Sequence, residues 1–311
     1  MAITTDDTPI RRQYLEIKQR HRDAIVFFRL GDFYETFDED AHIAARELDL
    51  VLTSRNVAKG QRVPMAGVPY HAADAYIARL IARGYKVAVC EQLGEQESGG
   101  LMARQVVRVV TPGTVVDPAL LSEKSNNYLA SCVHGPRGTG LAYADITTGE
   151  FAATEVAGPQ SEAAALREFE RLAPAEVILS DGGDPFAAQG GALAGEAAAR
   201  YPSLTALGAS LALYEDWRFE AGNCEQALLE HFRVATLEGY GLGGRPLAMR
   251  AAGVLVQYLQ QHQPGALAQL TALSTYSVDG YMTLDAATRR SLEITETMRG
   301  RGAEGSLLGI L

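Results

Sequence analysis

Cysteine is scarce in this sequence. Cys90, Cys132 and Cys224 are widely separated and form no CxxC pair. An odd count without that spacing disfavours a disulfide framework and a structural zinc site, and suits a reducing cytoplasm. The six histidines form no HExxH or His-x3-His pair, so no helical metal site is expected. No GxxxxGK[ST] phosphate-binding loop occurs. No apolar run reaches the roughly 18 residues of a membrane helix, and Met1 to Arg12 lacks the apolar core of a signal peptide. An excess of positive charge is missing too. The formal net charge is −10 and the pI is near 5.2, which for the whole chain argues against a protein that coats DNA.

What is present reads as a folded α/β protein. With 47% hydrophobic and 21% charged residues the composition is that of a globular chain, and 311 residues suit two or three domains. Thr8 followed by Pro9 is a helix start, a capping hydroxyl and then proline at the first helical position; Ile10, Tyr14 and Ile17 share the face that follows. Ala24 to Leu30 reads as a buried strand, and Phe37, Ala41, Ala44 and Leu48 mark an amphipathic helix. Leu48 to Thr53 reads as a strand, followed by a polar and basic loop from Ser54 to Arg62. A helix over Ala72 to Arg83 ends at Gly84, and Lys86 to Cys90 and Val106 to Val110 are further strands. This alternation predicts a mixed α/β unit over residues 1–115.

Thr111-Pro112-Gly113-Thr114 and Asp117-Pro118 break the pattern, so 116–126 reads as a linker. A second α/β unit follows over 127–243. Its strands are Tyr128 to Val133, Leu141 to Ile146 and Glu150 to Val156, the last two forming a hairpin around Thr147-Thr148-Gly149. A helix from Ser161 to Leu172 and a strand from Glu176 to Leu179 complete a β-β-β-α-β order. Ala187 to Ala199 reads as a loop with a short helix. From Cys224 the chain is predominantly helical, with Arg245 to Gln261 a long candidate and a second one capped by Asp285. Gly239 to Gly244 matches GxGxxG, but no apolar strand precedes it and Arg245-Pro246 follows, so it reads as a glycine-rich linker.

The charge is unevenly placed. Residues 1–115 carry 15 Lys and Arg against 15 Asp and Glu, and the remainder carries 13 against 23. The whole deficit lies in the second part. A neutral first unit can still present a basic surface, with Arg55, Lys59 and Arg62 close together. Asp38, Glu39 and Asp40 open a helix, where carboxylates favour the positive end of the dipole.

The informative stretch is Phe27 to Phe37. Gly31-Asp32 is a turn signal after a buried strand, and Phe33 and Glu35 share one side of any extended segment, with Tyr34 on the other. Residue types alone leave two readings open: a core phenylalanine with a solvated glutamate, or an aromatic and a carboxylate offered together to a ligand.

GDFYETF, Pro64 to His71 (PMAGVPYH), Cys90-Glu91-Gln92, Val109 to Thr114, and Tyr143 to Gly149 together resemble the N-terminal part of the bacterial MutS family of DNA mismatch-recognition proteins. The resemblance weakens across 157–238 and returns at Gly239 to Leu242 and Leu284 to Thr295. Several motifs in one order make it specific. It implies a mismatch-recognition domain (1–115), a ribonuclease H-like connector (127–243) and the start of an all-α core (244–311). It places the family's Phe-x-Glu on Phe33 and Glu35, the phenylalanine stacking on a mispaired base from the minor groove and the glutamate hydrogen-bonding that base. The partner it implies is double-stranded DNA with mispaired or unpaired bases. For full-length members it implies ATP and Mg as cofactors, a homodimer and downstream repair proteins. No cofactor is expected for this chain itself, nor any enzymatic turnover.

Sequence-blind phosphate contacts are expected from Arg55, Lys59, Arg104 and Arg108. PMAGVPYH, with two prolines and a glycine, is expected to shape a loop. Two alternatives stand beside DNA binding: a metal-dependent nuclease on the second unit using Asp145 and Glu150, and a protein-interaction platform without DNA binding of its own. The apolar end, Leu307 to Leu311, suggests an N-terminal fragment, and Val254, Leu255 and Tyr258 are then expected to await partners outside the chain.

Overall fold

A computed structural model describes residues 8–58, 61–93, 102–116, 126–182, 201–278, 286–294, 297–299 and 304–310. Helix α1 (Pro9–Arg20) begins where the capping signal puts it, with Thr8 Oγ1 accepting the Arg11 N–H at 3.4 Å. Strand β1 (Ala24–Leu30) turns at Gly31, where φ is +59°, into strand β2 (Phe33–Phe37). The two pair antiparallel, Phe28 opposite Glu35 and Leu30 opposite Phe33. Helix α2 (Asp38–Leu48) follows. Its acidic first turn does more than meet the dipole. Asp40 accepts from Lys18 Nζ at 2.8 Å, Tyr14 Oη at 3.0 Å and the Val26 N–H at 3.0 Å. Asp38 pairs with the buried Arg11.

Three readings between residues 48 and 71 are corrected. Leu48 is the last residue of α2, closed by Asp49 in the left-handed region, so Leu48 to Thr53 is not a strand. The expected loop from Ser54 to Arg62 is instead strand β3 (Thr53–Ala58) and the start of β4 (Gln61–Pro69). PMAGVPYH is mostly strand as well. Proline removes a ladder donor, but its fixed φ is compatible with extended backbone, and burial of Val63, Ala66 and Val68 drives the strand into the sheet.

Helix α3 (Ala73–Ile81) leads past Gly84, at φ +81°, into β5 (Lys86–Leu93), and β6 (Ala103–Val110) completes the sheet. The order is β3-β4-β2-β1-β5-β6, with β5 parallel to β1 and the other neighbours antiparallel. Tyr14, Leu15 and Ile17 of α1 cover one face, over Val26, Phe28, Phe37 and Val63. On the other face, Ala44 and Leu48 of α2 and Ile77 and Leu80 of α3 pack with Phe27, Tyr34 and Val68.

The second sheet follows the expected β-β-β-α-β order: β7 (Leu129–Gly135), β8 (Gly138–Asp145), β9 (Glu150–Ala157), helix α4 (Ser161–Leu172) and β10 (Glu176–Ser180). Two strands escaped the sequence reading, β11 (Ser210–Tyr214) and the two-residue β12 (Ser274–Thr275). They flank the others in the order β11-β10-β7-β8-β9-β12, each pairing parallel with its neighbour. Ala187 to Ala199 and Asp285 lie outside the described residues.

The helix Pro246–His262 forms where periodicity puts it, but Val254, Leu255 and Tyr258 do not await outside partners. All three are buried within the chain. Glu155 of β9 accepts the first-turn Leu247 and Ala248 N–H groups at 2.8 and 3.1 Å, which caps the helix from a strand. Ser131 of β7 donates to the Ala251 carbonyl at 2.7 Å. The expected start of an all-α core is not developed among the described residues. No helix there is long and apolar enough to cross a membrane.

Candidate nucleic-acid recognition site

The β1–β2 hairpin is built on aromatics, and one of them faces out. Phe27, Phe28 and Phe37 are buried, whereas Phe33, at the start of β2, is 46% exposed. Strand alternation explains the split. Tyr34 points into the α2–α3 face, and Phe33 and Glu35 point to the opposite side. Beneath that side Phe28 and Phe37 meet Tyr14 edge-on, with ring centroids 5.8 and 4.9 Å away, so the platform is packed. Opposite Glu35 on β4 stands Gly67. A Cβ there would lie 3.8 Å from both Phe33 Cδ1 and Glu35 Cγ. Glycine leaves that space to the two side chains.

Glu35 is paired. Arg55 of β3 reaches it from beyond β4, and its Nη1 donates to both carboxylate oxygens, 2.6 Å to Oε1 and a shorter contact to Oε2. Glu35 is mostly covered, its side chain 13% exposed against 38% for Arg55.

A second cluster lies on the Tyr34 side. The Arg29 guanidinium stacks 4.0 Å from the centre of the Tyr70 ring and 5.4 Å from that of Tyr34, while its Nε donates to the Gly31 carbonyl at 2.5 Å. Tyr34 Oη donates a short hydrogen bond to Glu91. Burial, reinforced by Glu91, pushes the Tyr34 hydroxyl up to about 12, so it stays a neutral donor. Burial pushes the neighbouring Cys90 thiol up to about 12 as well, which leaves it unreactive at neutral pH. Tyr70, 47% exposed, follows Pro69, the register partner of Phe33.

The remaining expected contacts fare differently. Arg104 donates to the Arg29 carbonyl at 2.8 Å, the Met102 carbonyl at 2.9 Å and Gln13 Oε1 at 3.2 Å, and lies 5.2 Å from the centre of the Phe28 ring. Arg108 pairs with Asp74 at 2.9 Å. Lys59 lies outside the described residues. The structure therefore brings Phe33, Glu35 and Arg55 together, holds Arg104 within the fold, and leaves Arg108 at an exposed pair. Sequence reasoning missed Arg29 and Tyr70. The available signal was register: a two-residue turn at Gly31-Asp32 sets Arg29 opposite Tyr34.

The nuclease carboxylates are occupied locally. Asp145 is fully buried. Its Oδ1 accepts from the Thr147 N–H at 2.8 Å, Thr147 Oγ1 at 2.6 Å and the Thr148 N–H at 3.3 Å. Its Oδ2 accepts the Asn127 N–H at 3.1 Å. Glu150 accepts from Tyr143 Oη at 3.0 Å. Asp145 closes a turn, and among the described residues no group of three or more His, Cys, Asp or Glu is arranged to hold a metal ion.

Comparison with known proteins agrees with these two units. A family model described as MutS domain I matches residues 8–119, and one described as MutS domain II matches residues 127–272. The chain is 47% identical over 306 residues to the DNA mismatch repair protein MutS of Symbiobacterium thermophilum, covering 98% of this chain and 34% of that protein. It is 48% identical over 308 residues to the protein of the same name from Dehalococcoides mccartyi, covering 98% and 33%. With that of Syntrophomonas wolfei it shares 43% over 310 residues, covering 98% and 35%. The chain thus spans about a third of the length of the curated relatives it matches.

Proposed function

The chain belongs to the MutS family of DNA mismatch repair proteins, and from that premise we propose that it binds double-stranded DNA at mispaired or unpaired bases by lodging Phe33 in the minor groove. The observation that carries this reading is a half-exposed phenylalanine ring on a hairpin whose other phenylalanines are buried. Inserting an apolar ring between base steps costs a few kcal/mol of unstacking. A mispair has already lost part of that stability, so the kink is cheaper there and deformability becomes the signal. One ring serves many mispairs, because every base offers a π face.

Glu35 supplies the selective element. A carboxylate is repelled by phosphates and weakens binding to any duplex, so its use lies in meeting an exposed base edge that a paired base does not present. Arg108, at its exposed pair with Asp74, and Lys59, outside the described residues, are our candidates for phosphate contacts, which position without reading sequence. Arg104, committed to the Arg29 carbonyl, supports the hairpin from below. The second unit serves as a connector.

Because the chain covers about a third of its relatives, ATP turnover with magnesium, homodimerisation and recruitment of downstream repair proteins are proposed for the full-length protein in the cytoplasm. No GxxxxGK[ST] occurs in these residues, so they do not fit a nucleotide held by such a loop. The test is a titration of labelled G·T and G·C duplexes at fixed salt, with and without magnesium. Tighter binding of the G·T duplex supports the proposal. Magnesium-dependent cleavage, or no response to DNA, overturns it in favour of a nuclease or a protein-interaction platform.

A further inference from the structure

We propose that Arg55 determines mismatch discrimination by acting through Glu35: its guanidinium fixes the carboxylate beside Phe33 before DNA arrives. The inference rests on the role proposed above for Phe33 and Glu35. It changes what Arg55 does, from a contact that grips any duplex to a positioning residue that affects only the reading of the mispair.

Three observations carry it. First, the pairing is non-local and specific. Arg55 and Glu35 stand on β3 and β2, separated by β4, yet one nitrogen, Nη1, donates to both carboxylate oxygens. Second, the ground beside Phe33 and Glu35 is kept clear, since Gly67 opposite Glu35 offers no side chain where a Cβ would already touch both of them. Third, the pair is graded in exposure, the carboxylate largely covered and the guanidinium at the rim. Because a single nitrogen engages Glu35, the carboxylate keeps lone pairs for a base edge, and the other Arg55 N–H groups make no hydrogen bond among the described residues.

An unpaired glutamate samples many rotamers, and ordering it against a base costs conformational entropy on binding. Held by Arg55, it meets the groove in one position and as half of a neutral pair. A phosphate contact behaves differently. It strengthens binding to matched and mismatched duplex alike and adds about 0.9 to the salt slope. The ratio of G·T to G·C affinity separates the two roles, because a sequence-blind contact cancels from it.

The experiment measures that ratio by fluorescence anisotropy with the full chain for the unaltered protein, Arg55→Ala, Arg55→Lys, Glu35→Gln and the Arg55→Ala/Glu35→Gln pair. Circular dichroism checks that each variant keeps the fold. Arg55→Ala is expected to lower the ratio about fivefold or more, the scale of one misdirected charged hydrogen bond, with Arg55→Lys intermediate because it keeps the charge but replaces the rigid planar guanidinium with a flexible ammonium. In the Glu35→Gln background Arg55→Ala is expected to leave the ratio within about twofold, since no carboxylate remains to be positioned. A ratio unchanged by Arg55→Ala, or a fall of the same size in both backgrounds, overturns the inference. Phe33→Ala, run in parallel, keeps the two failures apart. Mismatch preference that survives Phe33→Ala, or an unaltered chain that binds no duplex, overturns the functional reading itself. Preference lost with Phe33→Ala but kept with Arg55→Ala overturns only the role of Arg55.

Discussion

Gly140→Ala tests how the helix Pro246–His262 is seated. A Cβ at Gly140 of β8 would fall within 3 Å of the Leu247 backbone carbon and oxygen, and 2.6 Å from the Ala248 nitrogen. These are main-chain atoms of the helix's first turn, so no rotamer change relieves the clash. The helix must move as a body, which pulls Leu247 and Ala248 away from Glu155 and Ala251 away from Ser131. Overpacking typically costs about 1–3 kcal/mol, and a backbone neighbour together with loosened caps puts this case at about 3 kcal/mol. With a urea m-value of about 1–3 kcal/mol/M, the unfolding midpoint falls by about 1 M or more. Trp217, the sole tryptophan, lies in the second unit, so its fluorescence follows this transition. Gly222→Ala is the control: its Cβ meets open space in the helix Ala221–Phe232, and the change is expected to be neutral or to stabilise by up to about 1 kcal/mol. A Gly140→Ala midpoint within experimental error of the unaltered protein refutes the packing argument.

Other outcomes follow from the same contacts. Glu35→Gln removes a negative charge and frees the Arg55 guanidinium, so binding to fully paired duplex tightens about three- to tenfold at low salt, less as screening grows, and discrimination narrows; anisotropy titrations at two salt concentrations check both trends. His262 sits in surroundings that lower its pKa to about 4, through burial first, opposed by the Tyr258 carbonyl that accepts from Nδ1 and reinforced by Lys86. Its folded pKa lies below the unfolded value near 6.5, so the unfolded chain takes up the proton first and stability is lost as pH falls from about 6.5 towards 4. At about 1.4 kcal/mol per pKa unit, discounted for partial exposure, that is about 1–3 kcal/mol. The urea midpoint measured at pH 7 and pH 4.5 is expected to drop less in His262→Gln than in the unaltered protein.

Local signals placed most elements. Thr8-Pro9 starts α1, the apolar runs give β1 and β5, and periodicity gives α4 and the helix Pro246–His262. The failures have physical causes. Pro64, Gly67 and Pro69 punctuate like a loop, yet β4 pairs on both sides because its buried residues are worth more than the lost donor. The helix was legible but its partner was not, since an apolar face does not say what it packs against. The small residue on the facing strand, Gly140, was the available hint, as glycine in a strand often marks a close backbone approach. At the site, GDFYETF pointed to Phe33 and Glu35. The Glu35–Arg55 pair was not legible, because the two lie 20 residues apart and meet only when β3 and β4 form the hairpin read as loop.

The central claim rests on one ring. Base–aromatic stacking is worth about 1–3 kcal/mol, so Phe33→Ala is expected to lower affinity for a G·T duplex by roughly 5- to 150-fold. Affinity for the matched G·C duplex should change far less, bringing the ratio of the two towards one. Phe33 is half exposed, so the urea midpoint should stay near that of the unaltered protein. A Phe33→Ala variant that keeps its fold and its full preference for the G·T duplex would contradict mismatch recognition by this residue.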